Sequence, residues 1–207
     1  MARTLVSDQA GRETRARILK AALELFSERG YAGTSITAVA KSAGLSAPGV
    51  LHHFPDKQTL LMAVLEDRGR LVADEQDISY EDLTLTDALE LMVRTVAENV
   101  HDRAVIRLEH LCALAPGDSS EMAAQWSRLR LDRLRSASEV VAERSLRNGE
   151  VAAVESADIT RMADLIIATL VGLEHLWLLD ENFDMVAGMR TFTGLLANQF
   201  GLSMPPA

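Results

Sequence analysis

The chain has 207 residues, 48% hydrophobic and 25% charged, which calls for a packed core and excludes a chain disordered throughout. Twelve glycines and five prolines are too few for an all-β protein, and the single cysteine, Cys112, allows no internal disulfide and no cysteine-based zinc site. Residues 1–57 hold eight Lys/Arg against five acids, a net +3, so the total of −9 leaves −12 on the other 150 residues. That asymmetry fits a polyanion partner for the N-terminal part, and a chance excess fits it equally well.

Taken in chain order, the apolar periodicity predicts helices almost everywhere. Ile18, Ala22, Leu25 and Phe26 share a helical face that stops at Gly30. Ser35 offers an N-cap to a short stripe of Ile36, Val39 and Ala40, which Gly44 ends. Ser46 caps the next helix, with Pro48 in its first turn, and Asp56 caps a longer one carrying Leu60, Leu61, Val64 and Leu65. Residues 77–85 read as a loop, followed by a stripe of Leu89, Val93, Val96 and Val100. A helix over 103–115 ends at Pro116 and Gly117, and Asp118 with Glu121 has the spacing of a capping box opening a long helix to Asn148 and Gly149. Helices over 157–180 and 184–200 complete an all-α chain of about nine helices, with a frayed tail at 203–207. No apolar leader is visible near the N-terminus, and the greasiest stretch, 165–179, is interrupted by Glu174 and His175 and reads as too short for a bilayer. The expectation is a soluble cytoplasmic protein without a membrane partner.

Residues 35–54 carry the functional signal. Ala40 and Ala43 let two short helices cross closely, Gly44 permits the turn, and Leu45 and Val50 fill the space beneath. The second helix then projects Ala47, Pro48, Gly49 and His52, small enough for its backbone to enter a major groove about 12 Å wide. On spacing alone, a DNA reader and an ordinary helical hairpin fit equally.

The run from Thr34 through Ala40, then Ala43, Gly44, Leu45 and Ser46, then Val50 to Lys57 with Leu60 and Leu61, resembles the N-terminal signature of the tetracycline-repressor (TetR) family. The segment with Ala21, Ala22, Leu25, Phe26, Gly30 and Tyr31 looks like that family's first helix, so the resemblance covers about residues 12–61. It implies a three-helix helix-turn-helix domain over 1–56 and a larger helical-bundle domain over 57–202 for ligand sensing and dimerisation. It also implies that Ser35, Thr37 and Ser46 lie near phosphate or base edges, that Ala47, Pro48, Gly49 and His52 face the groove, and that His53 and Lys57 contact phosphate. Leu51 stands where the family usually has tyrosine, so one hydroxyl that reaches DNA is missing.

Other constellations are weaker. His52 and His53 diverge by about 100° on a helix, a poor metal pair. Glu98 with His101 has di-iron spacing but no second copy, and no phosphate-binding glycine loop or catalytic triad is motivated. No metal, cofactor or enzymatic activity is expected. The rival class is a helical-bundle enzyme or metal-binding protein whose hairpin only imitates the motif. Arg128, Arg130, Arg133 and Arg135 read as a solvated helix face.

The helix over 157–180 looks apolar around most of its girth, which predicts a two-fold homodimer built with the last helix through Ile166, Leu170, Leu173, Trp177, Met189, Phe192 and Leu196. Burial within one chain is the competing expectation. His110, Cys112, Met122, Trp126 and Trp177 among apolar stripes mark a candidate pocket for a small amphipathic or aromatic effector, and simple core filling accounts for them as well. The overall expectation is a repressor that binds a pseudo-palindromic double-stranded DNA operator and is released by its effector.

Overall fold

The computed structural model describes residues 2–74, 79–114, 121–151 and 156–202, with backbone alone for 2–8, 68–74, 114, 122, 156 and 157. The Asp118 half of the expected capping box and the tail at 203–207 lie outside these residues. Among the described residues there are nine helices and no strand: α1 Ala2–Gly33, α2 Ile36–Ser42, α3 Ala47–His53, α4 Lys57–Asp74, α5 Leu85–Asn99, α6 Arg103–Leu114, α7 Glu121–Arg147, α8 Ser156–Leu179 and α9 Met185–Gln199. The all-α expectation holds.

Packing divides the chain into a first unit, Met1–Gln76 with Ala104–Ser127, and a second, Asp77–Arg103 with Arg128–Ala207. The expected boundary at 56/57 falls inside the first unit, at the start of α4. In the first unit, α1 presents Ile18, Ala22, Leu25 and Phe26 to Leu60, Leu61, Val64 and Leu65 of α4. Leu108 and Cys112 of α6 and Ala123 of α7 join the same core. Burial pushes the Cys112 thiol up to about 11, with the Glu109 carboxylate adding to the shift. The thiol therefore stays protonated and unreactive at neutral pH. The helical path breaks at Gly30 (φ 69°), and the Thr34 hydroxyl lies in donor range of the carbonyls of Leu25 (3.1 Å) and Gly30 (2.9 Å), bracing the break.

The second unit starts from a signal that the apolar stripe hides. Thr84 and Asp87 form a capping box, so α5 begins at Leu85, one turn before the first stripe residue, Leu89. Helix α8 is not buried all round. Ile159, Ala163, Ile167, Glu174 and Trp177 face inward, whereas Leu165, Leu176 and Leu179 stay 58%, 48% and 73% exposed. Over Asp158–Leu179 the helix is, by length and composition, long and apolar enough to cross a membrane (mean hydropathy 1.6), which corrects the expectation from the shorter stretch. In α9, Met185, Met189, Thr193 and Ala197 are buried and Leu195 is 65% exposed. The two helices cross closely where a Cβ on Gly188 would fall 2.6 Å from the Leu173 side chain. A buried polar link ties α5 to α8, the Asn99 amide donating to Glu174 at 3.0 Å.

The chain on either side of α5's start is clamped to the end of α7. The Nη1 amino group of Arg144 donates to the Leu83 carbonyl (2.7 Å) and to Glu150 Oε1 (3.0 Å), while Glu150 Oε2 accepts the Leu85 amide. That amide bond is the main reason the Glu150 carboxyl titrates below the usual glutamate range, with the Arg144 charge adding to it. A lowered folded-state pKa contributes stability that is complete above about pH 4.3 and is lost as pH falls through the lowered value. Glu150→Gln should therefore cost about 1–2 kcal/mol at pH 7. Urea denaturation should show that difference shrinking below pH 4; a pH-independent gap would mean the charge plays no part.

Candidate nucleic-acid interface and ligand cavity

The α2–turn–α3 hairpin is built by local chemistry. Ser35 Oγ accepts the Ala38 amide at 3.1 Å and Ser46 Oγ accepts the Gly49 amide at 3.2 Å, so both serines are N-caps. Between the helices, Gly44 (φ 68°) donates to Lys41 O and Leu45 donates to Ala40 O, the paired closure that requires a left-handed residue after the cap. Val39 and Val50 are fully buried and fix the two helices to each other and to the core. The short α3 therefore stands on Val50 and turns Pro48, Leu51 and His52 to solvent, with Ala47, Gly49 and His53 half-buried beside them.

Ser35 and Thr37 are exposed at the start of α2, and Ser46 is exposed at the start of α3. A Cβ on Gly49 would meet Ser46 Oγ at 3.3 Å, tight enough to disturb the cap. The His52 and His53 rings meet edge to face at 5.5 Å. Lys57 is the exception to a purely outward set. Its ammonium donates to the carbonyls of Tyr31 (2.7 Å) and Thr34 (2.9 Å) and lies 4.2 Å from the Tyr31 ring centroid. It thereby closes the C-terminal end of α1, leaving one N–H for any phosphate. Burial, then the Asp56 charge, raises the Tyr31 phenol above its ordinary value. The Asp56 carboxyl is held low chiefly by accepting the Thr59 amide (2.6 Å) at the start of α4.

Two features escaped the sequence reading. Leu51, noted only as a missing hydroxyl, is 42% exposed and belongs to the α3 face. Arg15, counted in the positive excess, lies 5.3 Å from the Phe54 ring centroid, whereas Arg12, Arg17, Lys20, Arg29 and Lys41 are exposed.

The second unit holds a half-open cavity of about 140 Å³. Leu89, Met92 and Thr95 of α5, Leu134, Ala137, Ser138 and Val141 of α7, Ile166, Ile167 and Leu170 of α8 and Met189 of α9 line it, with Tyr80 at the edge. None of the five expected pocket residues is among the lining. His110, Cys112 and Trp126 belong to the first unit, and the Met122 side chain lies outside the described residues. Trp177 is buried in the second unit with the Arg103 guanidinium 4.9 Å from its ring centroid, and Arg103 also donates to Leu178 O. Several residues expected at a dimer interface point inward instead. Ile166, Leu170 and Met189 line the cavity, Leu173 packs against Gly188, Trp177 is buried, and Phe192 and Leu196 are half-buried. The reason is phase: an almost wholly apolar helix does not reveal which of its faces meets its own chain.

Residues 18–64 match the family described as bacterial regulatory proteins, tetR family. The chain is 44% identical over 61 residues to the transcriptional regulator UidR of Escherichia coli K12, a stretch that spans 29% of this chain and 31% of that protein. It is 28% identical over 203 residues to the transcriptional regulator AcrR of Shigella flexneri, covering 93% of this chain and 91% of that one. Among solved structures it resembles SmeT, the repressor of a Stenotrophomonas maltophilia multidrug efflux pump, in complex with triclosan, with a TM-score of 0.77 at 20% identity over 94% of this chain and 96% of that one. The helix-turn-helix at 35–54 lies inside the matched stretch, so residues 18–64 carry the N-terminal domain of the tetR family of bacterial regulatory proteins, and the all-helical architecture agrees with that of the solved structures.

Proposed function

We propose that the chain is a transcriptional repressor that binds a pseudo-palindromic DNA operator as a homodimer and is released by a small organic effector. The outward face of α3 carries this reading. A seven-residue helix capped by Ser46 shows only small, apolar or imidazole groups at Ala47, Pro48, Gly49, Leu51 and His52. Such a face suits the major groove, where imidazole can bond base edges and Leu51 can meet a thymine methyl group. Ser35, Thr37, Ser46, His53 and the remaining N–H of Lys57 supply phosphate contacts, which position the helix without reading sequence.

The dimer forms through the outer faces of α8 and α9, where Leu165, Leu176, Leu179 and Leu195 are exposed. A two-fold axis lets this row meet its own copy, and an apolar row of this size is unusual on a surface that stays in water. The effector occupies the cavity of the second unit. Helix α7 supplies Ala123 to the core of the first unit and Leu134, Ala137, Ser138 and Val141 to the cavity, so a ligand that displaces those turns acts on a helix shared by both. The effector must bind the DNA-free state better than the DNA-bound one, since equal affinity shifts nothing. This role places the protein in the cytoplasm.

Selection from a random duplex pool tests the reading. The enriched sites should contain two inverted half-sites about one helical turn (roughly 34–36 Å) apart. A pool without enrichment after several rounds at low salt would overturn it.

A further inference from the structure

We infer that the cavity takes an uncharged, one-ring-sized organic molecule bearing a single hydroxyl or carbonyl, with Thr95 as its polar anchor, and that it rejects carboxylates and other anions. The inference rests on the effector reading above and narrows the ligand. No charged side chain is among the residues lining the cavity, so a carboxylate would be desolvated there without a cation to compensate it. A volume of about 140 Å³ is close to that of an engineered cavity of about 150 Å³ that holds benzene.

The polar groups are few and differ in what they leave free. Ser138 spends its hydroxyl proton on the Leu134 carbonyl of its own helix, 2.9 Å away, and keeps only lone pairs. Thr95 lies on α5 in a wall of Leu, Ile, Met and Ala side chains, and among the described residues no hydrogen bond engages its hydroxyl. A half-buried hydroxyl without a partner in an apolar wall is a site for one ligand polar atom, because it can both donate and accept. Met92 and Met189 add adaptable, polarisable contacts for a ring.

Calorimetry with three probes of one shape tests this: benzyl alcohol, toluene and benzoate, titrated into the full chain without DNA. Benzyl alcohol should bind, with benzoate at least tenfold weaker. Thr95→Val keeps the side-chain shape and should weaken benzyl alcohol about fivefold to tenfold, the range expected for one lost hydrogen bond. Toluene should change by less than twofold. Ala137→Phe, which fills the cavity, should abolish binding of both, and it tests the location even if the Thr95 variant folds poorly. Benzoate binding as tightly as benzyl alcohol, equal weakening of toluene and alcohol by Thr95→Val, or unaltered binding in Ala137→Phe would each overturn the inference. Its failure is separable from failure of the regulator reading. Protein that binds the alcohol in this pattern but enriches no duplex supports the pocket and refutes the regulator. Protein that binds an enriched duplex and is released only by anions does the reverse.

Discussion

Lys57→Met is expected to lower folding stability by about 2–4 kcal/mol, far more than a surface lysine normally contributes. The ammonium makes two charge-assisted bonds, at 2.7 and 2.9 Å, to the carbonyls of Tyr31 and Thr34 and lies over the Tyr31 ring. Bonds to a charged group contribute about 1.5–3 kcal/mol each and the ring contact about 0.5–1 kcal/mol, with overlap between them. Methionine retains the length of the side chain but leaves both carbonyls without that donor. The affected junction joins α1 to α2, so the reading hairpin should also lose its fixed position on the core. Weaker duplex binding should accompany a salt slope reduced by about one unit, because the proposed DNA complex assigns the third N–H to a phosphate. Urea melts and salt titrations measure both. An unchanged melting midpoint would show that the clamp does not contribute.

Leu176→Glu combined with Leu195→Glu should convert the proposed dimer into a folded monomer. Both side chains are solvent-facing within one chain, 48% and 65% exposed, so the charges leave the protomer's own core intact. Across a two-fold interface each glutamate would be desolvated near its own copy. A penalty of about 3 kcal/mol or more raises the dimer dissociation constant over 100-fold. Sedimentation equilibrium should report monomer with helical circular dichroism unchanged. Met189→Glu is the contrasting control: that side chain is fully buried in the protomer, and the charge should unfold the second unit instead. A double variant that remains dimeric would place the interface elsewhere.

How much of this could be read from the sequence depended on whether the deciding physics was local. The helix-turn-helix was legible because Ser35, Gly44 and Ser46 act within three or four residues of themselves, as caps and as a left-handed turn. The α1 core stripe was legible because its spacing is set by the helix alone. The Thr84–Asp87 capping box was equally local and passed unread because the apolar stripe begins at Leu89. Lys57 could not be read as a clamp, since its partners lie 23 and 26 residues away. The cavity was hidden for a different reason. Its wall is made of ordinary core residue types, whereas polar and aromatic markers such as His110 and Trp126 belong to the other unit. The faces of α8 were ambiguous because leucines on both sides give no preferred direction, so Met189 and Trp177 were assigned outward although they are 0% and 6% exposed.

The central claim is that α3 reads base sequence, and the most direct measurement is the affinity of a selected duplex, titrated with salt, for the wild-type chain, His52→Ala and Leu51→Ala. The account predicts that both variants keep the wild-type salt slope while base preference within each half-site changes by about 1–3 kcal/mol at one position. Unchanged base preference in both variants, with affinity altered only through the salt slope, would contradict it.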